Sequence, residues 1–357
     1  MSTPISPFKF TSFYNPAALE LHQSPFRKSP VTQEQAFYKM VKNGVKALKE
    51  HQDQEPFHGG GFSAYASIED LTFPQPGLPP PLDPLRFTVF SDSSQGSRKT
   101  MEDVSFISPT AEGVIAGVLD GHSGDNVAKF AGARFQEILP GMLEKMQGHV
   151  HQALEVTTGI IQKSILEDSS MNGTGSTAVI SVLDQTKHQI ITATLGDSEA
   201  NIYRKKEGRV ISIPLSNVRD WTSEKDEARA RAVYAYPNHF CNFNQFDKIV
   251  SGWDIEPKTS KDRYLRSSDL THRTNVSRAL GKADYKANTH KSKMTISSLQ
   301  KDDVVVITSD GLKDHNEAEI VERVNCNRPE DLPKALVKYA TSGRLSDNVI
   351  VTVIHVT

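Results

Sequence analysis

Cysteine is almost missing from this chain of 357 residues: Cys241 and Cys326 are the only two. Two cysteines build no disulfide framework, and without a repeated Cys or His spacing they mark no zinc site, so a reducing cytoplasm is the expected home. An excess of charge of either sign is missing too, since 41 Lys and Arg face 43 Asp and Glu. Such a balance gives no electrostatic reason to expect nucleic acid or an anionic membrane as a partner. The N-terminal "MSTPISPFKF" lacks the basic-then-apolar pattern of a signal peptide, and no apolar run approaches the length that spans a bilayer. What remains is the expectation of a soluble protein, long enough to bury a substantial core in one large domain or two smaller ones.

The texture changes along the chain. Residues 1–85 read as an N-terminal extension with one amphipathic helix, in which Phe37, Met40, Val41, Val45 and Leu48 recur at helical spacing. The Gly- and Pro-rich pieces "HGGGF" and "FPQPGLPPPLDP" surround it and suit extended connections. From residue 86 to 357 the pattern is mixed. Runs rich in β-branched residues predict strands at 85–90, 114–119, 177–183, 189–195, 201–204, 304–308 and 349–356. Helical patterns fall at 125–139, 151–167, 223–233, 317–324 and 333–340. Helices that follow helices, and strands that follow strands, argue for antiparallel sheets covered by helices rather than for regular βαβ alternation.

The stretch "GVIAGVLDGHSGD" ends an apolar run on Asp120, Gly121 and His122. Asp-Gly is by itself a common turn signal. The device recurs, however. "VVVITSDGLKD" runs into Asp310, Asp347 opens the strand of "SDNVIVTVI", and "SRKTMED" places Glu102 and Asp103 ahead of another. Carboxylates gathered at strand ends repel one another unless a cation neutralises them. Oxygen donors of this kind suit Mg²⁺ or Mn²⁺ rather than zinc.

Seven strings, "SRKTMED", "VLDGHSGD", "GTGSTAVISVL", "ATLGDSEANIYR", "NVSRALGKADYK", "VVVITSDGLKD" and "SDNVIVTVI", stand in the order in which the metal-dependent serine/threonine phosphatases of type 2C carry their motifs. From about residue 86 onward the chain resembles that family. The resemblance implies a two-sheet antiparallel β-sandwich of α+β class flanked by helices. It also implies two divalent cations, Mn²⁺ or Mg²⁺, as cofactors, a phosphoprotein substrate and a monomeric enzyme. Asp120 then matches the acid that bridges both ions, joined by the carbonyl of Gly121. Asp310 and Asp347 match ligands of the other ion, and Glu102 and Asp103 the pair that reaches the metals largely through water. Arg98 matches the guanidinium that grips the substrate phosphate, and His122 the general acid. Two rivals stay open: a pseudophosphatase that binds phosphoproteins without turnover, and a phosphatase for a small phosphorylated metabolite.

The chain departs from the family pattern in several places. Asn172 stands where many relatives carry an acid that helps hold a third metal, and a neutral amide oxygen is the weaker ligand. Asp168 is a nearby substitute. The usual GDSR reads Gly196-Asp197-Ser198-Glu199, the usual ALGD ends in Lys282, and the usual DGLWD has Lys313 in place of Trp. The strings around Gly173–Val179 and Gly196–Ala200 are expected to be structural, their glycines serving turns. Residues 234–275 replace a short flap by a long insertion with Tyr236, Phe240, Phe243, Phe246 and Trp253, too long for an ordinary turn.

Overall fold

The computed structural model describes residues 83–217, 225, 253–255, 265–267, 273–274, 276–281, 290–312, 317–343 and 346–357. The amphipathic helix of the extension, the helix expected at 223–233 and most of the 234–275 insertion lie outside the described residues.

Two antiparallel sheets form the centre. In the first, β1 (Phe87–Ser94) pairs with β15 (Val349–Val356), followed by β14 (Val304–Thr308), β7 (Glu199–Lys206) and β8 (Arg209–Pro214). The second is built on β3 (Gly113–His122). One side of β3 carries β2 (Asp103–Thr110). Its other side carries β5 (Ala178–Asp184) and, at the far end, β4 (Gly175–Ser176). β6 (Gln189–Leu195) and β13 (Lys293–Ser298) extend this sheet beyond β5, and β12 (Leu280–Gly281) pairs with β4. A third, small sheet arises within the insertion, where β9 (Trp253–Ile255), β10 (Leu265–Ser267) and β11 (Arg273–Thr274) pair antiparallel in the order β11-β10-β9.

Strand β14 explains why the apolar runs read as continuous. Val305 and Ile307 join the core between the sheets, which also takes Val114, Ala116 and Val118 from β3. Val304 and Val306 point the other way, into a second core shared with Leu332, Leu336 and Val337. Those last residues belong to α4 (Leu332–Ala340), which with α3 (Glu317–Cys326) covers the outer face of the five-stranded sheet. A strand covered on both faces carries apolar residues at every position instead of alternating. The longer helices α1 (Asn126–Lys145) and α2 (Val150–Glu167) cover the other sheet. There Phe135 of α1 stacks on Phe106 of β2 at 6.0 Å. The architecture is therefore the helix-covered double sheet that the motif order implies.

Besides the two- and three-residue strands, three longer ones escape the apolar pattern, β2, β8 and β13. Among the described residues each pairs on one side only, and their mixture of buried, half-buried and exposed residues carries no clean period of two. Helix α1 also runs on to Lys145, through Pro140, where the sequence pattern stops at Leu139. Proline removes one backbone donor, but Gln136, whose carbonyl loses its partner, is exposed and can bond to water, while Leu139 and Met142 stay buried.

One buried ion pair ties β7 to the start of its neighbour β14. Asp303 is fully buried, and both its carboxylate oxygens accept from Arg204, at 2.7 Å from Nε and 2.7 Å from Nη2. Removing the cation strands a buried charge, so Arg204→Met should destabilise the protein by about 3–5 kcal/mol. Urea unfolding measures this, and a loss below about 1 kcal/mol, the scale of an exposed pair, would contradict it.

Candidate metal-binding and catalytic site

The register of β2 on β3 sets Asp103 directly opposite Asp120. Like charges in that position repel, so the pairing is costly unless protons or a cation compensate it. The backbone of Asp120 is held on every side. Its N–H donates to Thr177 Oγ1 at 3.1 Å, and its carbonyl accepts from Thr177 N at 2.9 Å and Ser176 Oγ at 3.1 Å. Thr177 Oγ1 lies 2.7 Å from Ser198 Oγ. The strings expected to supply turns thus also form the frame that fixes Asp120.

Asp120-Gly121 is not a turn. Strand β3 continues through both residues to His122, with Gly121 opposite Ser176 and His122 opposite Gly175. The chain turns only at Ser123 and Gly124, whose φ values are 64° and 128°. Gly121 is required for closeness instead: its N–H donates to the Glu102 carbonyl at 3.2 Å, and a β-carbon there would lie 2.5 Å from that oxygen.

The remaining acids arrive from the other sheet. Asp310 begins a short 3-10 turn, Asp310–Leu312, just after β14. Asp347 lies two residues ahead of β15 rather than within it. Glu102, at the end of the β1–β2 loop, accepts from Gly124 N at 3.2 Å through Oε2 and from Thr100 Oγ1 at 3.1 Å through Oε1. Arg98, in the same loop, is exposed, and its Nη2 donates to Asp347 Oδ2 at 2.5 Å. His122 is half-buried at the end of β3, two residues from Asp120.

Burial, aided by the fields of Asp310 and Asp347, pushes the Asp103 carboxyl up to about 7, although a hydrogen bond from Ser309 works against it. Burial also raises Asp120 well above the carboxylate range, and the charges of Asp310, Asp103 and Asp197 add to the effect. The pair thus holds protons that ordinary aspartates release, the mark of a carboxylate cluster short of positive charge.

Among the described residues, no three acidic or imidazole side chains close on a single point at ligand distance. The aspartates are neighbours that feel one another's charge rather than a finished shell, and the guanidinium of Arg98 takes one oxygen of Asp347. The donors nevertheless fit a hard divalent cation. They are carboxylate oxygens with a backbone carbonyl, and Asp103 Oδ2 is buried with no hydrogen-bond partner.

Asp197 escapes the motif-by-motif assignment of site residues. It is 2% exposed, and its charge acts on Asp120. The strand-then-acid pattern that singles out Asp120 and Asp310 also holds for β6 followed by Gly196 and Asp197, and would have found it. Asp168, the alternative to Asn172, caps the 3-10 turn Ser169–Met171. Its Oδ1 accepts from Ser170 N at 2.9 Å and Ser170 Oγ at 2.7 Å, and these bonds hold its carboxyl below the ordinary range. Glu199 opens β7 opposite Thr308. Lys282, Lys313 and Asp314 lie outside the described residues.

With this geometry in place, comparison with known proteins is specific. The protein phosphatase 2C family model matches residues 87–349, and the chain belongs to that family. Protein phosphatase 2C homolog 2 of Aspergillus flavus is 27% identical over 208 residues, which cover 57% of this chain and 42% of that protein. The match thus spans less than half of that relative's length. The probable protein phosphatase 2C 67 of Arabidopsis thaliana is 22% identical, over 71% of this chain and 74% of its own length. Among solved structures, a phosphatase from a pathogenic strain of Toxoplasma gondii shares the fold with a TM-score of 0.61 at 14% identity, covering 76% of this chain and 93% of that one.

The raised carboxyls predict a pH dependence. Between the ordinary aspartate value of 3.8 and about 7 the folded state holds a proton at Asp103 that the unfolded chain has released. Stability of the metal-free protein is therefore greatest at the acid end of that window and falls as pH rises through about 7. In chelator, Asp103→Asn should flatten this slope and exceed wild type at about pH 8 by a few kcal/mol, on the scale of roughly 1.4 kcal/mol per pKa unit. Urea unfolding at about pH 5 and about pH 8 measures the slope, and equal slopes for both proteins would contradict it.

Proposed function

We propose that this chain is a metal-dependent protein serine/threonine phosphatase that hydrolyses phosphoserine and phosphothreonine in proteins, acting as a monomer. The observation that carries the proposal is the opposed pair of buried Asp103 and half-buried Asp120, with Asp310 and Asp347 close enough to raise its affinity for protons. Membership of the protein phosphatase 2C family supports the reaction class. Two divalent cations, Mn²⁺ or Mg²⁺, held by Asp120, the Gly121 carbonyl, Asp310 and Asp347, with Glu102 and Asp103 beside them, would supply Lewis-acid activation of water for attack at phosphorus.

The chain's own residues do the rest. The frame of Thr177, Ser176 and Ser198 keeps Asp120 from moving when its charge is neutralised, which is what a ligand set needs in order to be pre-organised. Arg98 presents a planar fork of donors that matches two phosphate oxygens, a geometry that lysine lacks. Its exposure leaves it open to an incoming phosphate, and its present partner Asp347 shows that it already reaches the acids of the site. His122, on the same strand end, is the group that donates a proton to the departing serine or threonine oxygen, a poor leaving group without one. We further propose that residues 86–357 form the catalytic domain and that the 234–275 insertion selects substrates, because loops on a rigid scaffold commonly carry recognition.

The test is hydrolysis of nitrophenyl phosphate and of a phosphothreonine peptide with and without Mn²⁺. Turnover should require the cation, and Asp120→Asn should lower kcat by roughly three orders of magnitude. His122→Ala should impair the peptide far more than the nitrophenyl ester, whose leaving group needs little protonation. Metal-independent turnover would contradict the mechanism, and equal losses on both substrates would remove His122 from the acid role.

A further inference from the structure

The loop between β1 and β2 carries Arg98 and ends on Glu102, yet every residue from Gln95 to Thr100 is exposed. Met101 packs against the core between the sheets, but the exposed run that carries Arg98 has no such anchor of its own. Three of the side-chain hydrogen bonds that hold it converge on one residue. Asn348 is only 6% exposed, and its Nδ2 donates to the carbonyls of Gln95 at 2.8 Å and Thr100 at 2.9 Å, one near each end of the loop. Its Oδ1 accepts from Glu102 N at 2.9 Å. Its own backbone N–H donates to Asp347 Oδ1 at 2.8 Å, while the other oxygen of Asp347 takes Arg98.

We propose that Asn348 is a positioning residue that sets the place of Arg98 relative to Asp347 and Glu102, and so fixes where the substrate phosphate sits. Only an amide serves. Aspartate keeps the acceptor for Glu102 N–H but offers no donor, and leucine has the bulk without any hydrogen bond. A second link between the segments lies at the loop's exposed tip, where Ser97 Oγ and Ser97 N donate to Ser346 O at 2.8 and 3.0 Å and Ser346 N donates to Ser97 Oγ at 3.0 Å. Water reaches those groups directly, whereas the Asn348 amide that joins the two ends of the loop is itself buried, so removing it leaves a gap between partners that only it spans.

The inference rests on the assignment of Arg98 to phosphate, so the test separates the two. Wild type, Arg98→Ala, Asn348→Ala and the double variant are compared in Mn²⁺ for KM and kcat on nitrophenyl phosphate and for competitive inhibition by inorganic phosphate. Asn348→Ala should raise KM and the phosphate inhibition constant about tenfold, with kcat changed by several-fold at most. On top of Arg98→Ala it should add less than about twofold, because a residue acting through Arg98 has nothing left to position. A fall in kcat with unchanged KM, or a full effect in the Arg98→Ala background, overturns the proposal.

Asn348→Asp, of the same shape, is measured alongside in case the alanine variant fails to fold, and the same pattern is expected. Hydrogen exchange of the metal-free protein reads the clamp without turnover. Exchange at residues 95–102 should rise in Asn348→Asp while β15 keeps its protection, and unchanged exchange in the loop overturns the proposal. A wild type inert toward every phosphoester would count against the proposed function, while the exchange result alone decides the clamp.

Discussion

Two aspartates, one buried and one half-buried, face each other across a pair of hydrogen-bonded strands, and much of the molecule can be understood as what makes that tolerable. The register of β2 on β3 leaves Asp103 and Asp120 no freedom to separate. Their backbones are locked into a ladder, and Asp120 is further gripped by Thr177 and Ser176. Relief must come from protons or from cations, and the upward displacement of both carboxyls shows the first of these at work. A site that prefers extra positive charge at neutral pH is one prepared to take a divalent ion in exchange for its protons.

The double sheet is what brings the other acids to this pair. Asp103 and Asp120 come from strands of one sheet, Asp310 and Asp347 lie beside the ends of strands in the other, and Asp197 sits on the link from β6 to β7 that joins the two. Neither sheet alone supplies the full set. The core between them, in which Val305, Ile307, Ile350 and Ile354 meet Val114, Ala116 and Val118, therefore does more than stabilise the fold: it sets the separation of two groups of carboxylates. None of the proposed ligands lies on an α-helix. The helices cover the outer faces and leave the strand ends open.

Most of this was legible from residue types and order, and what was missed has identifiable causes. Strands such as β14 and β15, buried on both faces, leave uninterrupted apolar runs that are easy to see. The edge strands β2, β8 and β13 mix buried, half-buried and exposed positions without a regular pattern and leave no such trace. Asp120 and Asp310 were visible as acids that end apolar runs. Asp197 follows the same rule but sits in a string whose glycine pointed to turn chemistry. Asp120-Gly121 was misleading in the opposite sense, because a glycine demanded by the approach of the Glu102 carbonyl looks in sequence like a glycine demanded by a turn. Asn348 was hidden for another reason. An amide that joins Gln95, Thr100 and Glu102 from 246 to 253 positions away declares itself only in three dimensions.

The central claim is that the opposed aspartates exist to hold cations, and anomalous scattering from crystals grown with Mn²⁺ tests it most directly. The account predicts two strong peaks in the patch bounded by Asp103, Asp120, Asp310 and Asp347, with the carboxylate of Asp120 between them and Arg98 withdrawn from Asp347. A patch without Mn²⁺ at saturating concentration, with Arg98 still on Asp347, would contradict it.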